Sequence, residues 1–102
     1  MKPSDYNQFL KNLSSENPPG EWPLTLKALW FDANDNWKAS HDIAQEIHND
    51  LGNWIHAYLH RKEGDKFNAG YWYRTAHKPF PKSSLKEELK EIVEYILSSR
   101  DF

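Results

Sequence analysis

The chain has 102 residues, 38% of them hydrophobic and 27% charged, which is enough apolar material for one hydrophobic core. Its formal net charge of -2 supplies no basic field for phosphate groups, so nucleic acid is disfavoured as a partner. The chain contains no cysteine, which excludes disulfide bonds, thiolate metal ligands and a cysteine nucleophile. No run approaches the roughly 18 apolar residues of a membrane span, and the N-terminal segment lacks the apolar core of a signal peptide. We therefore expect a cytoplasmic protein that does not engage a membrane.

The N-terminal segment predicts a short helix over residues 4–13. Apolar residues recur there with helical spacing, and a residue type that caps helices precedes them. The apolar residues are Tyr6, Phe9, Leu10 and Leu13, and the candidate caps are Ser4 and Asp5. Residues 14–20 follow with two consecutive prolines and a glycine, which predict a linker.

A first helical hairpin is predicted over residues 23–48. Pro23 suits the first position of a helix, where its missing N–H has no partner in any case. The helix after it is apolar on nearly every side, which favours burial between neighbours. The polar turn at residues 34–36 ends this helix, and a second helix is predicted from Trp37 to His48. The two helices should pack antiparallel.

A second hairpin is predicted over residues 53–77. Asn53 is a favourable N-cap for a helix over residues 54–63. A Gly-Asp turn at residues 64–65 breaks that helix, and residues 67–77 supply its antiparallel partner. Two prolines then stop the chain from continuing as a helix.

The C-terminal segment predicts an amphipathic helix over residues 84–98. Ser84 and Glu87 have the spacing of a reciprocal capping box, and apolar residues recur behind them at helical intervals. Together the segments predict an all-α fold of about six helices in a single domain over residues 1–102. The helices at the two ends would flank the two hairpins.

Shifting the sequence by 30 residues aligns the two hairpins with each other. Several matched positions have a packing or capping role, which favours an internal repeat of one helix-pair unit, although shared hairpin chemistry can produce the same matches. The matched pairs are Leu29 with Leu59, Asp35 with Asp65, Trp37 with Phe67, and Ala39 with Ala69.

The segment from Trp54 to Pro81 resembles a tetratricopeptide or Sel-one-like repeat. It has small residues in both helices, a turn between them, an aromatic second helix and a terminal proline. The residues that carry the resemblance are Ala57, Gly64, Asp65, Ala69, Tyr73, Ala76 and Pro81. The resemblance implies a short stack of helix pairs with a concave face for peptides or proteins, closed by capping helices, and no catalysis. The whole chain is also similar to small bacterial proteins with the same His-Asp and Trp-Ile-His-Ala-Tyr-Leu-His blocks, which implies no function.

A candidate metal site consists of His56, His60 and Glu63. Their spacing brings two imidazoles and a carboxylate close to one face of a helix, which would let them converge on a divalent ion. The segment lacks the Glu of the His-Glu-x-x-His zinc proteases, so protease activity is not expected. His41 or His48 could join this cluster if the hairpins stack. The alternative is that these histidines only pack or hydrogen-bond within the fold.

A candidate interaction surface combines amphipathic aromatic rings with guanidinium groups, the residue types that anchor protein interfaces. Its residues are Tyr58, His60, Arg61, Tyr71 and Arg74. The same side chains could stack the bases of single-stranded nucleic acid, which the negative net charge disfavours.

Two functional hypotheses follow from different classes of site. The first is a cytoplasmic bacterial module that binds a protein or peptide without a cofactor through the aromatic and arginine surface. The second is a metal-dependent or small-ligand enzyme centred on the histidine cluster. The sequence lacks a glycine-rich phosphate loop, a serine nucleophile elbow and a dinucleotide fingerprint, which favours binding over catalysis. A homodimer is compatible with either hypothesis.

Overall fold

The computed structural model describes residues 2–99, and over these residues it contains six α-helices and no strand. The helices are α1 (Tyr6–Lys11), α2 (Leu24–Ala33), α3 (Trp37–Ala44), α4 (Asp50–Lys62), α5 (Lys66–Thr75) and α6 (Leu85–Leu97), with a short 3-10 turn (Asn12–Ser14) after α1. The all-α prediction is confirmed. The ends of the predicted domain, Met1 and residues 100–102, lie outside the described residues.

Local capping explains where several helices begin. Asp5 caps α1 by accepting a hydrogen bond from the Gln8 N–H, and Ser84 and Glu87 form both bonds of the predicted capping box on α6. Pro23 is the residue before α2 rather than its first helical residue. These beginnings depend on side chains within three residues of the helix, so the sequence predicts them well.

The start of α4 corrects the prediction for Asn53. Asn49 caps the helix by accepting the Gly52 N–H at 2.8 Å, so Asn53 lies inside the first turn. Gly52 is required there because a Cβ at this position would lie 2.1 Å from the Ile47 carbonyl oxygen. The absence of a side chain at position 52 allows the preceding segment to pass against the helix. The helix α3 also ends at Ala44, four residues before the predicted end at His48.

The turns of the two hairpins have the same backbone hydrogen bonds. The Asn36 N–H donates to the Phe31 carbonyl at 2.8 Å, and the Asp65 N–H donates to the His60 carbonyl at 2.9 Å. Asn36 and Asp65 then cap α3 and α5. These equivalent residues are 29 positions apart. The predicted 30-residue alignment is therefore one residue out of register at the turn.

The residue before each of these caps adopts a left-handed backbone. Asp35 has φ of 62° and Gly64 has φ of 91°, a region that glycine tolerates best and that Asp tolerates better than most residues. Asp35 thus occupies the place of Gly64, which explains why matching Asp35 with Asp65 misplaced the register.

The helices pack as two hairpins with α6 laid across them. Helices α2 and α3 form the first hairpin, and α4 and α5 form the second. The central helix α4 also contacts α2 and α3, while α6 contacts α1, α2 and α4. The radius of gyration is 12.6 Å, close to the roughly 13 Å of a compact chain of this length. Helix α5 packs chiefly against α4, so its opposite side is uncovered.

A buried carboxylate joins α4, α5 and α6. Glu88 is 1% exposed and accepts hydrogen bonds from Trp54 Nε1 at 3.1 Å, Arg61 Nη1 at 2.7 Å and the Tyr73 hydroxyl at 2.7 Å. Arg61 also donates to the Ser83 carbonyl. A buried charge is tolerated when it is paired and its lone pairs are satisfied, and this carboxylate meets both conditions.

A second buried carboxylate joins α2 to α4. Asp32 is 1% exposed and accepts hydrogen bonds from the Tyr58 hydroxyl and from Lys62 Nζ, both at 2.9 Å. The two networks hold α4 against its neighbours on both sides.

Among residues 2–99, no helix combines the length and the apolar character needed to cross a membrane. The cytoplasmic location stays a prediction.

Candidate metal centre

Three histidines from both hairpins meet beside α4. His41 lies on α3, and His56 and His60 lie one turn apart on α4. The Nε2 atoms of His41 and His56 are 3.0 Å apart. The His60 ring is stacked on His56 with centroids 4.8 Å apart, and its centroid is 5.2 Å from that of His41. One ring nitrogen from each residue lies within 4.8 Å of the other two.

Two indole rings enclose the cluster. Trp37 is stacked on His41 with centroids 4.8 Å apart, and Trp72 is stacked on His56 at 4.1 Å. Trp37 is held in place because its Nε1 donates to the Leu59 carbonyl at 2.8 Å. His56 is consequently only 7% exposed. The His56 imidazole therefore lies in surroundings that penalise a positive charge.

Burial favours the neutral form of two of the three histidines, His41 and His56. Burial, followed by the nearby His41 and His60, lowers the pKa of His56 to about 4. Burial, followed by the charge of His60, also lowers the pKa of His41. In the short contact between His41 and His56, one ring donates its N–H and the other accepts with a lone pair. Neutral imidazoles with accessible lone pairs are the form that binds metal ions.

Glu63 orients His60. The Glu63 carboxylate lies 2.6 Å from His60 Nδ1, and because a carboxylate only accepts, this nitrogen carries the proton. In the neutral ring the lone pair is then on Nε2. A carboxylate bound to the second ring nitrogen is the usual support for a metal-ligating histidine. The predicted role of Glu63 as a direct ligand stays a prediction, and its contact with Nδ1 also suits it to support His60 as a ligand.

A second donor group, formed by His60, Glu63 and Asp65, is less suited to a metal ion. Asp65 caps α5, and its two carboxylate oxygens accept hydrogen bonds from the Asn68 backbone and side-chain nitrogens at 3.1 and 2.7 Å. These bonds hold the pKa of Asp65 below its usual value. Binding a metal there would compete with the cap.

The three-histidine group has the size required by a small divalent ion. Zinc–nitrogen bonds of about 2.0–2.1 Å place two ligands on a tetrahedral ion roughly 3.4 Å apart. The ring nitrogens lie within 4.8 Å of one another, so rotations of the side chains close the difference. Imidazole donors suit zinc, copper and nickel.

The structure divides the predicted interaction surface. Tyr58 is buried against Asp32, and Arg61 is bound to Glu88 and the Ser83 carbonyl, so both are corrected to core roles. His60 belongs to the histidine cluster. Of the predicted set, only Tyr71 and Arg74 are exposed.

The metal site predicted from helical spacing does not include Trp37 or Trp72, and it includes His41 only if the hairpins stack. The spacing of Trp37 and His41 places both on one side of α3 and was a usable signal. His48, the other neighbour considered, is exposed and is not part of the three-histidine group.

Comparison of the chain with protein-family models, with curated proteins and with solved structures gives no match. The resemblance to tetratricopeptide repeats therefore stays a prediction.

Proposed function

We propose that the protein binds one divalent transition-metal ion through His41, His56 and His60, with Glu63 orienting His60. The observation that carries this proposal is the 3.0 Å contact between the His41 and His56 Nε2 atoms, two residues whose pKa values are lowered by burial, with the His60 ring beside them. Zinc fits best, because it accepts three nitrogen ligands and a fourth ligand such as water. Copper and nickel share the preference for imidazole.

A bound ion would join the two hairpins. One ligand comes from α3 and two come from α4, so a bound ion would add metal–ligand bonds to the packing and the hydrogen bonds that already join these helices. Because the site requires folded geometry, the ion stabilises the folded state in proportion to its affinity. Metal binding by itself does not make the protein an enzyme. Catalysis would in addition require a reactive water as the fourth ligand.

The test begins with untagged protein purified without chelator or nickel resin. Elemental mass spectrometry should find close to one equivalent of zinc, copper or nickel. Calorimetric titration of metal-free protein with zinc should then give one site. His60→Ala and His41→Ala should lose this site, whereas His48→Ala, an exposed histidine outside the cluster, should retain it. Equal zinc binding by His60→Ala and the unaltered protein would remove the cluster as the site.

We propose as a second candidate function that the protein docks a protein partner on the outer side of α5. We define the α5 face as Phe67, Gly70, Tyr71 and Arg74. The observation in its favour is Phe67, which is 85% exposed, an unusual position for a large apolar ring. The shared geometry of the hairpin turns supports a short tetratricopeptide-like stack as the architecture that presents this face.

This docking function can be tested with a pair of matched variants. Phe67→Asp places a charge on the α5 face. Leu24→Asp replaces a different exposed apolar residue, on α2, with the same charged residue. Partner capture from a cell lysate should be lost with Phe67→Asp and kept with Leu24→Asp, with unchanged helical content in both. Capture by both variants at the level of the unaltered protein would exclude the α5 face.

A further inference from the structure

We infer that the partner of the α5 face is the α5 face of a second copy of this chain. This inference rests on the second candidate function and names its partner. The proposed assembly is a two-fold symmetric dimer in which the two α5 helices run antiparallel. Symmetric pairs of identical surfaces are the commonest protein oligomers.

The α5 face is a continuous stripe on the side of the helix that faces away from α4. Phe67, Tyr71 and Arg74 are spaced by four and three residues, so they lie on one side of the helix. Phe67 is 85% exposed and Tyr71 is 51% exposed, whereas Ala69 and Tyr73 on the opposite side are buried. The stripe thus presents two aromatic rings and a guanidinium group that none of the helices described between residues 2 and 99 covers.

Gly70 is the second unusual feature of this face. Glycine is less favourable than alanine inside a helix, so its presence there calls for a reason. A Cβ at position 70 would come no closer than 3.5 Å to any neighbouring group, the nearest being Arg74 Nη1, which is an ordinary contact. The fold of one chain therefore has room for a larger residue. A small residue on an exposed helix face allows close approach by a second helix.

The face is complementary to itself in size. If the two-fold axis passes between positions 70 and 71, the Tyr71 ring of one copy lies over Gly70 of the other. The ring fits against the glycine when the Arg74 side chain, whose Nη1 lies 3.5 Å from the Cβ position of residue 70, turns toward the other copy. Each copy contributes one such pair, so the contact is made twice.

The face also pairs its cation with an aromatic ring of the other copy. The same axis places Arg74 of one copy opposite Phe67 of the other, where the guanidinium can stack on the aromatic ring as a cation–π pair. Among residues 2–99, Arg74 forms no ion pair, so its cation is available for this contact. Antiparallel helices also place opposite ends of their dipoles beside each other.

The size of the contact predicts a weak dimer. Four exposed aromatic rings and two arginine stems offer roughly 800–1,000 Å² in total, below the range of stable interfaces and within that of weak, transient ones. The two Arg74 side chains are about 10 Å apart along the helix axis, so their repulsion is weak and is screened further by salt. Association should therefore depend on concentration and should strengthen modestly as salt is raised.

Sedimentation equilibrium tests the dimer directly. The unaltered protein and Leu24→Asp should change from monomer to dimer at concentrations of hundreds of micromolar, and Phe67→Asp should weaken association by at least about tenfold. Phe67 is so exposed that the substitution leaves the fold of the monomer unchanged, which circular dichroism checks. A monomeric unaltered protein at about 1 mM, or equal association by Phe67→Asp, would overturn the inference.

The absence of cysteine allows the register to be tested as well. Phe67→Cys and Arg74→Cys, once mixed, should be joined by a short bismaleimide, because positions 67 and 74 face each other and one Phe67–Arg74 pair remains intact. Each variant alone should crosslink poorly, since identical positions lie about 10 Å apart along the axis. Equal crosslinking by a single variant would overturn the antiparallel register. A monomer that still captures another protein through Phe67 would leave the docking function in place while removing self-association.

Discussion

The Nε2 atoms of His41 and His56 lie 3.0 Å apart, although the two residues belong to different hairpins. A contact this short is compatible with only one hydrogen between the two nitrogens, so the pair is stable only when at least one ring is neutral. The contact therefore links the protonation of the cluster to the packing of α3 against α4. A metal ion that replaces this hydrogen would keep the same two segments together.

We expect the metal-free protein to lose stability as the pH falls from about 6.5 to about 4. His56 has a folded-state pKa of about 4, below the ordinary value of 6.5, because it is buried beside two other imidazoles. The unfolded chain therefore binds more protons in this interval, and protonation favours unfolding. The expected loss is about 2 to 3 kcal/mol. Urea unfolding at several pH values measures it. In His56→Gln the part of the pH dependence that is due to this residue should vanish, and a slope identical to that of the unaltered protein would contradict the assignment.

We expect Glu63→Gln to weaken metal binding by about 10- to 100-fold without abolishing it. The Glu63 carboxylate stabilises the Nδ1–H of His60 and raises the basicity of Nε2, and the substitution removes this negative charge. Calorimetric titration with zinc measures the change. Glu91→Gln, an exposed carboxylate on α6, is the control and should bind as the unaltered protein does. Complete loss of binding in Glu63→Gln with the fold intact would indicate a direct ligand instead.

We expect Glu88→Gln to destabilise the protein by about 3 kcal/mol. The amide leaves the largely buried Arg61 without an anionic partner and cannot accept from all three present donors. Chemical denaturation followed by circular dichroism measures the change in the free energy of unfolding. Glu91→Gln should change it by less than about 0.5 kcal/mol, because that side chain is exposed on the same helix. A similar small effect for both variants would show that the buried network contributes little.

We expect alanine to have opposite effects at two helical glycines. Gly52→Ala should cost about 2 kcal/mol or more, because the new Cβ would lie 2.1 Å from the Ile47 carbonyl oxygen and must displace the backbone. Gly70→Ala should stabilise the monomer by up to about 1 kcal/mol, since the site has room and alanine favours helix. Thermal unfolding at low protein concentration measures both. Destabilisation by Gly70→Ala in the monomer would show that the glycine serves the fold.

Predictions made from the sequence succeed where neighbouring residues control the outcome. The capping box of Ser84 and Glu87 needs only one helical turn, and it forms as predicted. The prediction that Asn53 caps α4 is wrong, because the helix begins before Gly52 with Asn49 as its cap. Gly52 fits inside the helix because the Ile47 carbonyl oxygen lies where a side chain would be, a contact that the sequence does not specify. Tyr58 and Arg61 belong to residue types that commonly anchor protein interfaces. The buried carboxylates of Asp32 and Glu88, distant in sequence, draw them into the core instead.

In the candidate metal site, too, the sequence predicts what depends on neighbouring residues and misses what depends on residues far apart in the chain. The proximity of His56, His60 and Glu63 follows from the spacing of one helix, and the sequence predicts it. The role of Glu63 as a support and the entry of His41 follow from interactions that the spacing does not specify.

The amino-acid pattern is enough to establish an all-α chain, most of its helices and the side of α4 that carries histidines, because helical periodicity and capping are local properties of the backbone. Other features depend on how the two hairpins pack against each other: the contact of His41 with His56, the stacking of Trp37 and Trp72 on these rings, and the exposure of Phe67. That packing involves core side chains from segments far apart in the chain. The periodicity of one segment carries no information about it.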